Sequence, residues 1–383
     1  MTLAARLPRF PWDLLAPYGQ KARAHPDGIV DLSVGTPVDP VPAVVQDALR
    51  AAADAPGYPA THGTPALREA AAGWLARRHG ISVDPGAVLP LIGTKEFIAA
   101  LPALLGCGPG DVVVYPELAY PTYDIGARLA GADAVAADAL PPACPVPGQT
   151  FSATNTTSTA PSGPVRLVWV NSPSNPTGRV LGAGQLAAAA RAARDRGAVL
   201  ASDECYIGLG WSAEPVSVLH PDVCGGSFDG LLAVHSLSKR SNLAGYRAGF
   251  VTGDPALVAE LLEIRKHAGM MMPAPVQAAM TAALRDDAHA ERQRGVYAAR
   301  REQLQAALEK AGWAISHSEA GLYLWASRPG HDCWSSVQML AEAGILVAPG
   351  EFYGPAGALH IRVALTATDE RVAAAARRLA ALS

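Results

Sequence analysis

Between about residue 43 and about residue 285 the chain alternates between two hydrophobic patterns. Short apolar runs bounded by Gly, Pro, Asn or Asp fall at 112–115, 166–170, 198–202, 231–235 and 248–252 and predict buried strands. Between them lie stretches with helical spacing, such as Phe97, Leu101, Leu104 and Leu105, and an alanine-rich helical segment at 186–193. Strands alternating with helices predict an α/β domain built on a mostly parallel sheet. After Pro273 and Pro275 one long helical run is expected to reach Lys310, followed by strands at 322–325 and 360–363 and a closing helix from Asp369. This last part reads as a smaller α+β domain, completed by the N-terminal segment. The boundaries drawn are 35–274 for the larger domain and 1–34 with 275–383 for the smaller. Residues 141–164, with Pro-Pro, a run of Thr, Asn and Ser, and Ser-Gly-Pro, lack periodicity and are expected to form a flexible surface loop.

Composition narrows the function. The 383 residues are 50% hydrophobic and 17% charged, with a net charge of −3, so a large core is available and no basic surface suits nucleic acid or a membrane. Small-molecule chemistry is the default. The five cysteines (Cys107, Cys144, Cys205, Cys224 and Cys333) are scattered without C-x-x-C spacing, which argues against a disulfide framework and against a metal site. With no leader-like apolar region and no bilayer-length run, a cytoplasmic enzyme is expected.

Lys239 is the leading candidate for chemistry. It is one of five lysines and the only one directly following a short apolar strand, in Ser236-Leu237-Ser238-Lys239-Arg240. The carboxyl end of a strand is where an open α/β sheet places its ligands. An amine among hydroxyls and arginines can be held partly neutral and attack an aldehyde, although most lysines are only solvated charges.

Other candidates each have a structural competitor. Asp203 ends a buried strand, where a carboxylate needs a cationic partner; it either caps a turn or pairs with a protonated pyridine nitrogen. Asn175 lies in Asn171-Ser172-Pro173-Ser174-Asn175-Pro176-Thr177-Gly178, which a rigid turn alone would explain, but it is also placed to bond a cofactor hydroxyl. Gly93-Thr94-Lys95-Glu96 opens a helix whose free amides suit a phosphate or make an ordinary cap, with Ser236, Ser238 and Arg247 available to complete the cup. Tyr120 offers a face for ring stacking or is simply core. Arg362, in the apolar strand Ile361-Arg362-Val363, requires an anion, which is either a substrate carboxylate or a structural ion-pair partner.

Taken in order, Gly35-Thr36-Pro37, Tyr58 with Gly63-Thr64-Pro65-Ala66-Leu67-Arg68-Glu69, Gly93-Thr94-Lys95-Glu96, Asn175-Pro176-Thr177-Gly178, Asp203-x-x-Tyr206, Ser236-x-Ser238-Lys239 with Arg247, and Arg362 resemble the class I/II aminotransferases, which are fold-type I pyridoxal-phosphate enzymes. The resemblance covers nearly the whole chain. It implies a large domain with a mostly parallel seven-stranded sheet, a smaller α+β domain, pyridoxal 5'-phosphate as cofactor and a homodimer with active sites at the subunit interface. By it Lys239 forms the Schiff base, Asp203 pairs with the pyridine nitrogen, Asn175 and Tyr206 bond the ring hydroxyl oxygen, and Tyr120 stacks on the ring. Thr94, the Lys95 backbone, Ser236, Ser238 and Arg247 hold the phosphate, and Tyr58 reaches the phosphate of the neighbouring subunit. Arg362 binds the α-carboxylate with Gly35 beside it.

The stretches 236–247 and 265–277 look most similar to actinobacterial succinyldiaminopimelate aminotransferases, which implies N-succinyl-LL-2,6-diaminopimelate and 2-oxoglutarate as substrates in lysine biosynthesis. An aspartate-, alanine- or broad-specificity aminotransferase is the rival, because no arginine stands out for a distal carboxylate. A carbon–sulfur β-lyase on the same scaffold is a further alternative, and a non-catalytic regulator a remote one.

Overall fold

The structure is a computed structural model that describes residues 3–138 and 163–382; the expected loop at 141–164 lies, up to residue 162, outside the described residues. In chain order the strands are β1 (Val30–Asp31), β2 (Val88–Ile92), β3 (Val112–Tyr115), β4 (Asp133–Ala136), β5 (Val165–Asn171), β6 (Val199–Asp203), β7 (Leu231–Ser236), β8 (Ala248–Gly253), β9 (Ala314–Ser316), β10 (Tyr323–Ser327), β11 (Ile345–Leu346), β12 (Ala348–Pro349) and β13 (His360–Ala364).

Seven of these form the main sheet, in the order β2-β8-β7-β6-β5-β3-β4. Only β8 runs against its neighbours. The central strands read as continuous apolar runs because both faces are covered: β3 and β7 are buried at every position. One face packs on Leu67, Trp74, Leu75, Leu186 and Met280, the other on Phe97, Leu101, Tyr123 and Leu261.

Of the seven strands in this sheet, the two absent from the sequence reading, β2 and β4, are its edges. Their sequences explain the omission. β2 contains Pro90, which an edge tolerates because no ladder donor is needed on the open side, and β4 is half alanine, a weak strand former.

The helical run expected from Pro275 to Lys310 is two helices, Ala274–Arg285 and Asp287–Lys310. The break is Asp286, extended at φ −104° and ψ 103°, whose carboxylate accepts from the Ala288 amide and caps the second helix. The first of the two packs against helices Ala43–Ala51 and Pro65–His79, and its Met280 and Leu284 sit in the main-sheet core. By packing, it therefore goes with the larger domain, although the sequence boundary at 274 puts it in the smaller.

The smaller domain is an antiparallel sheet, β12-β13-β10-β9, with the parallel pair β1-β11 beside it. Leu15, Val30 and Leu32 from the N-terminal segment share its core with Tyr297, Leu304, Trp325, Val363 and Leu379. In the register of β10 and β13, Tyr323 faces Ala364 and Trp325 faces Arg362.

Candidate active site

The register of the main sheet brings several chain-distant residues level at its carboxyl edge. Asn171 at the end of β5 pairs with Asp203 at the end of β6. The end of β7 and the end of β2 meet at the start of β8, where Ser236 faces Gly249 and Ile92 faces Ala248. The helix Thr94–Leu104 begins directly after β2, and the short helix Leu237–Arg240, carrying Lys239, begins directly after β7.

Asp203 is buried, and its two oxygens accept from the Tyr123 hydroxyl at 2.7 Å and the Cys205 amide at 3.2 Å. Burial pushes its carboxyl above the usual range, against the pull of those hydrogen bonds. Both partners are neutral, and no cation forms an ion pair with it among the described residues. Asn171 donates to the Asp203 carbonyl at 2.9 Å and accepts from the Asn175 amide at 2.7 Å, which ties the two strand ends to the Pro173–Pro176 turn.

At the other corner, Gly93 precedes the helix with φ +75°, and a Cβ there would collide with the Arg247 guanidinium. Glycine thus lets Arg247 lie across the helix N-terminus, beside Thr94 and its free amides. A Cβ at Gly249 would lie 2.8 Å from the His235 carbonyl oxygen and 3.2 Å from the Thr94 methyl. Ser236 accepts from the Ser238 amide at 3.1 Å, turning both hydroxyl residues into the same corner.

Lys239 donates through Nζ to the Gly35 carbonyl. Burial draws its ammonium below the ordinary lysine range, with Arg362 and Arg247 acting in the same direction and Tyr323 and Cys205 opposing. Arg362 is buried and meets no carboxylate. Its Nη1 donates to Asn175 Oδ1 at 2.8 Å and its Nη2 to the Ser33 carbonyl at 2.7 Å, while Nε is buried without a partner. The guanidinium carbon lies 4.0 Å from the Tyr323 ring centre and 4.8 Å from that of Tyr353.

The structure therefore gathers Gly35, Asn175, Asp203, Tyr206, Lys239 and Arg362 into one cluster where the two sheets meet, with Thr94, Ser236, Ser238 and Arg247 at one end. Tyr120 stands nearby, edge-on to Tyr123 at 6.2 Å, and burial raises its phenol. Lys95 contributes only its backbone to the helix start, since its Nζ lies 5.8 Å over the Phe10 ring. Tyr58 is 95% exposed.

Sequence reasoning missed four neighbours. Tyr123 follows Tyr120 at helical spacing, a signal that could have been used. Cys205 donates from Sγ to Thr94 Oγ1 at 3.4 Å, and burial raises its thiol. Tyr323 places its hydroxyl 3.1 Å from that of Tyr206. Tyr353 covers Arg362 from the short 3-10 helix Gly350–Tyr353, which carries no motif. Behind the site, Glu204 follows Asp203 and faces the opposite side of the sheet. Its Oε1 accepts from the Val218 amide at 2.8 Å, and its Oε2 lies 3.6 Å from Nε2 of His235, which packs between Trp74 and Phe250.

A strand-end lysine, a buried carboxylate without a cation, a helix-terminal anion corner and an arginine without a carboxylate, set on this sheet order, define a fold-type I pyridoxal-phosphate enzyme. The family profile "Aminotransferase class I and II" matches residues 27–379, and the chain belongs to that family. It is thus an aminotransferase that uses pyridoxal 5'-phosphate. It is 62% identical over 373 residues to the 4-dedimethylamino-4-oxo-anhydrotetracycline transaminase OxyQ of Streptomyces rimosus, covering 97% of this chain and 99% of that one. A probable aminotransferase of Mycobacterium tuberculosis is 63% identical over 98% of this chain and 86% of its own length. Among solved structures, a probable N-succinyldiaminopimelate aminotransferase from Thermus thermophilus superposes with a TM-score of 0.83 at 30% identity, covering 98% of this chain and 100% of the other. No helix among the described residues is long and apolar enough to cross a membrane.

Proposed function

We propose that this aminotransferase takes N-succinyl-LL-2,6-diaminopimelate as amino donor and 2-oxoglutarate as acceptor, acting as a homodimer. The observation that carries the amino-acid reading is Arg362, a buried guanidinium held only by neutral acceptors and aromatic faces, with Nε left over. A carboxylate common to donor and acceptor would supply the missing anion. The diaminopimelate reading is supported by the likeness of 236–247 and 265–277 to succinyldiaminopimelate aminotransferases and by the Thermus structure. A second reading is favoured by the 62% identity to OxyQ, and would make 4-dedimethylamino-4-oxo-anhydrotetracycline the acceptor.

The residues fit the cofactor on three counts: Asp203 lacks a cation, Arg247 and Thr94 form a corner that added Cβ atoms at Gly93 and Gly249 would crowd, and Lys239 is an amine depressed by burial. Pyridoxal 5'-phosphate supplies an aldehyde that condenses with amines and a ring that takes up electron density. Lys239 would hold it covalently, Asp203 would face its pyridine nitrogen, and Asn175 and Tyr206 would bond its ring hydroxyl oxygen beneath Tyr120. Thr94, the Lys95 amide, Ser236, Ser238 and Arg247 would hold the phosphate, and Tyr58, exposed in its own chain, would reach the phosphate bound by a second copy.

The side chains then divide the work. Arg362, steadied by Asn175 and with Gly35 beside it, orients the α-carbon by its carboxylate. Lys239 Nζ, whose ammonium burial draws below the ordinary lysine range, would accept the α-proton and return it on the other side of the reaction. Asp203, ionised beside the pyridine nitrogen it would face, would hold that nitrogen protonated.

Single-turnover mixing decides between donors. The holoenzyme's cofactor absorbance is followed as N-succinyl-LL-2,6-diaminopimelate, LL-diaminopimelate, aspartate and alanine are added separately, and the aminated form is then titrated with 2-oxoglutarate or the oxo-anhydrotetracycline. Fastest conversion by the succinylated donor supports the first reading. Preferential discharge onto the tetracycline ketone replaces it with the second, and 2-oxo acid release without any acceptor would mark a β-lyase.

A further inference from the structure

Tyr323 stands at the start of β10, buried between the elements that carry Lys239, Tyr206 and Arg362. Its ring lies under the Arg362 guanidinium, 4.0 Å from ring centre to guanidinium carbon. Its hydroxyl is 3.1 Å from the Tyr206 hydroxyl and packs so closely on Gly35 that any Cβ there would collide with it. Gly35 is in turn the residue whose carbonyl accepts from Lys239. One phenol thus touches the arginine, the tyrosine and the glycine that borders the lysine.

We propose that Tyr323 is a positioning residue with two separable duties: its ring fixes the plane of Arg362 for the substrate carboxylate, and its hydroxyl donates to Tyr206, leaving the single Tyr206 proton for the cofactor's ring oxygen. This rests on the roles given above to Arg362 and Tyr206.

The direction of the hydroxyl pair follows from the proton count. At 3.1 Å either hydroxyl could donate, and each phenol has one proton. With the Tyr206 proton committed to the cofactor's ring oxygen, as proposed above, Tyr323 is the hydroxyl left to donate. A hydroxyl that accepts one hydrogen bond donates a stronger one, so Tyr323 strengthens whatever Tyr206 holds. The ring duty has the geometry of a cation–π contact, which fixes a guanidinium face-on while leaving its edge free.

Two substitutions separate the duties, both studied in the holoenzyme. Tyr323→Phe keeps the ring and removes the hydroxyl. It should raise the pH midpoint of the cofactor absorbance change by roughly half a unit or more, since a weaker bond to the ring oxygen favours protonation of the Lys239-linked nitrogen. The dissociation constant of 2-oxoglutarate for the aldehyde form should stay within about twofold, because the ring contact survives. Tyr323→Met keeps buried volume without the ring and should weaken 2-oxoglutarate by about 2- to 30-fold as well. In a Tyr206→Phe background, Tyr323→Phe should add no further midpoint shift.

An unmoved midpoint in Tyr323→Phe overturns the hydroxyl duty, and a further shift in the Tyr206→Phe background shows that it does not run through Tyr206. Equal 2-oxoglutarate affinity in the Phe and Met variants overturns the ring duty. Failure of the underlying reading looks different, because the wild-type absorbance would then survive Lys239→Ala.

Discussion

Glu204 is a carboxyl group on the apolar side of the main sheet, and replacing it with Gln should change how stability depends on pH. Its side chain is fully buried among the Ser217–Val218 turn, Ser202 and His235, with Oε2 unpaired. Burial raises its pKa from 4.5 to about 7; the hydrogen bond from the Val218 amide pulls the other way, and the nearby Asp203 adds to the rise. A raised pKa means that the folded state holds the proton more tightly than the unfolded chain. The stability tied to that proton is complete below about pH 4.5 and is lost as pH climbs to about 7. At about 1.4 kcal/mol per pH unit, that interval costs about 3 kcal/mol. His235, 3.6 Å from Glu204, is kept neutral by burial to well below its ordinary value, so its own loss falls on the acid side of the interval in which Glu204 titrates. Gln has the same shape and no charge at any pH. Urea unfolding of the cofactor-free protein at pH 5 and pH 8 should therefore show Glu204→Gln gaining most of about 3 kcal/mol on wild type between the two. A difference between the proteins that stays flat from pH 5 to pH 8 would show that Glu204 is ionised in the fold and that the argument from burial is wrong.

Lys239→Ala should lose the borohydride-fixed label entirely; a label appearing on another lysine would move the covalent role elsewhere. Asp203→Asn should retain cofactor but slow the donor half-reaction roughly a hundred- to several-thousandfold, as expected when about 3–5 kcal/mol of buried charge pairing is lost, whereas near-normal single-turnover rates would make Asp203 structural. Arg362→Lys should keep the positive charge but lose the forked geometry, weakening amino donor and 2-oxoglutarate alike by about 10- to 100-fold while leaving the cofactor spectrum unchanged. An effect confined to one of the two substrates would place Arg362 on the distal group.

Residues with sharp local signals were the ones legible in the sequence. Lys239, Asp203 and Asn175 all follow apolar strands, and a strand end is visible as a change from buried run to polar turn. Arg362 was visible for the opposite reason, as a charge inside a run. The edge strands β2 and β4 were hidden because their proline and alanines carry weak propensity, and what makes them strands is pairing with β8 and β3. The single long helix failed on Asp286, since an aspartate in a polar helical stretch reads as surface until its cap is seen. Tyr123, Tyr323 and Tyr353 are aromatic residues in apolar surroundings, and only the fold distinguishes a core ring from one whose hydroxyl or face meets a functional group.

The hydrogen bond from Arg362 to Asn175 crosses from the smaller sheet to a loop of the larger one, and that from Lys239 ends on Gly35, at the boundary drawn between the two domains. With Arg362 and Lys239 in their proposed roles, ligand affinity and the seating of one domain on the other would be coupled. Substitutions that disturb only the smaller sheet, such as at His360, stacked on Trp325 at 5.0 Å, would register as weaker substrate binding before they registered as unfolding. In a mutational survey of this enzyme, affinity would map the interdomain seam as clearly as it maps the pocket.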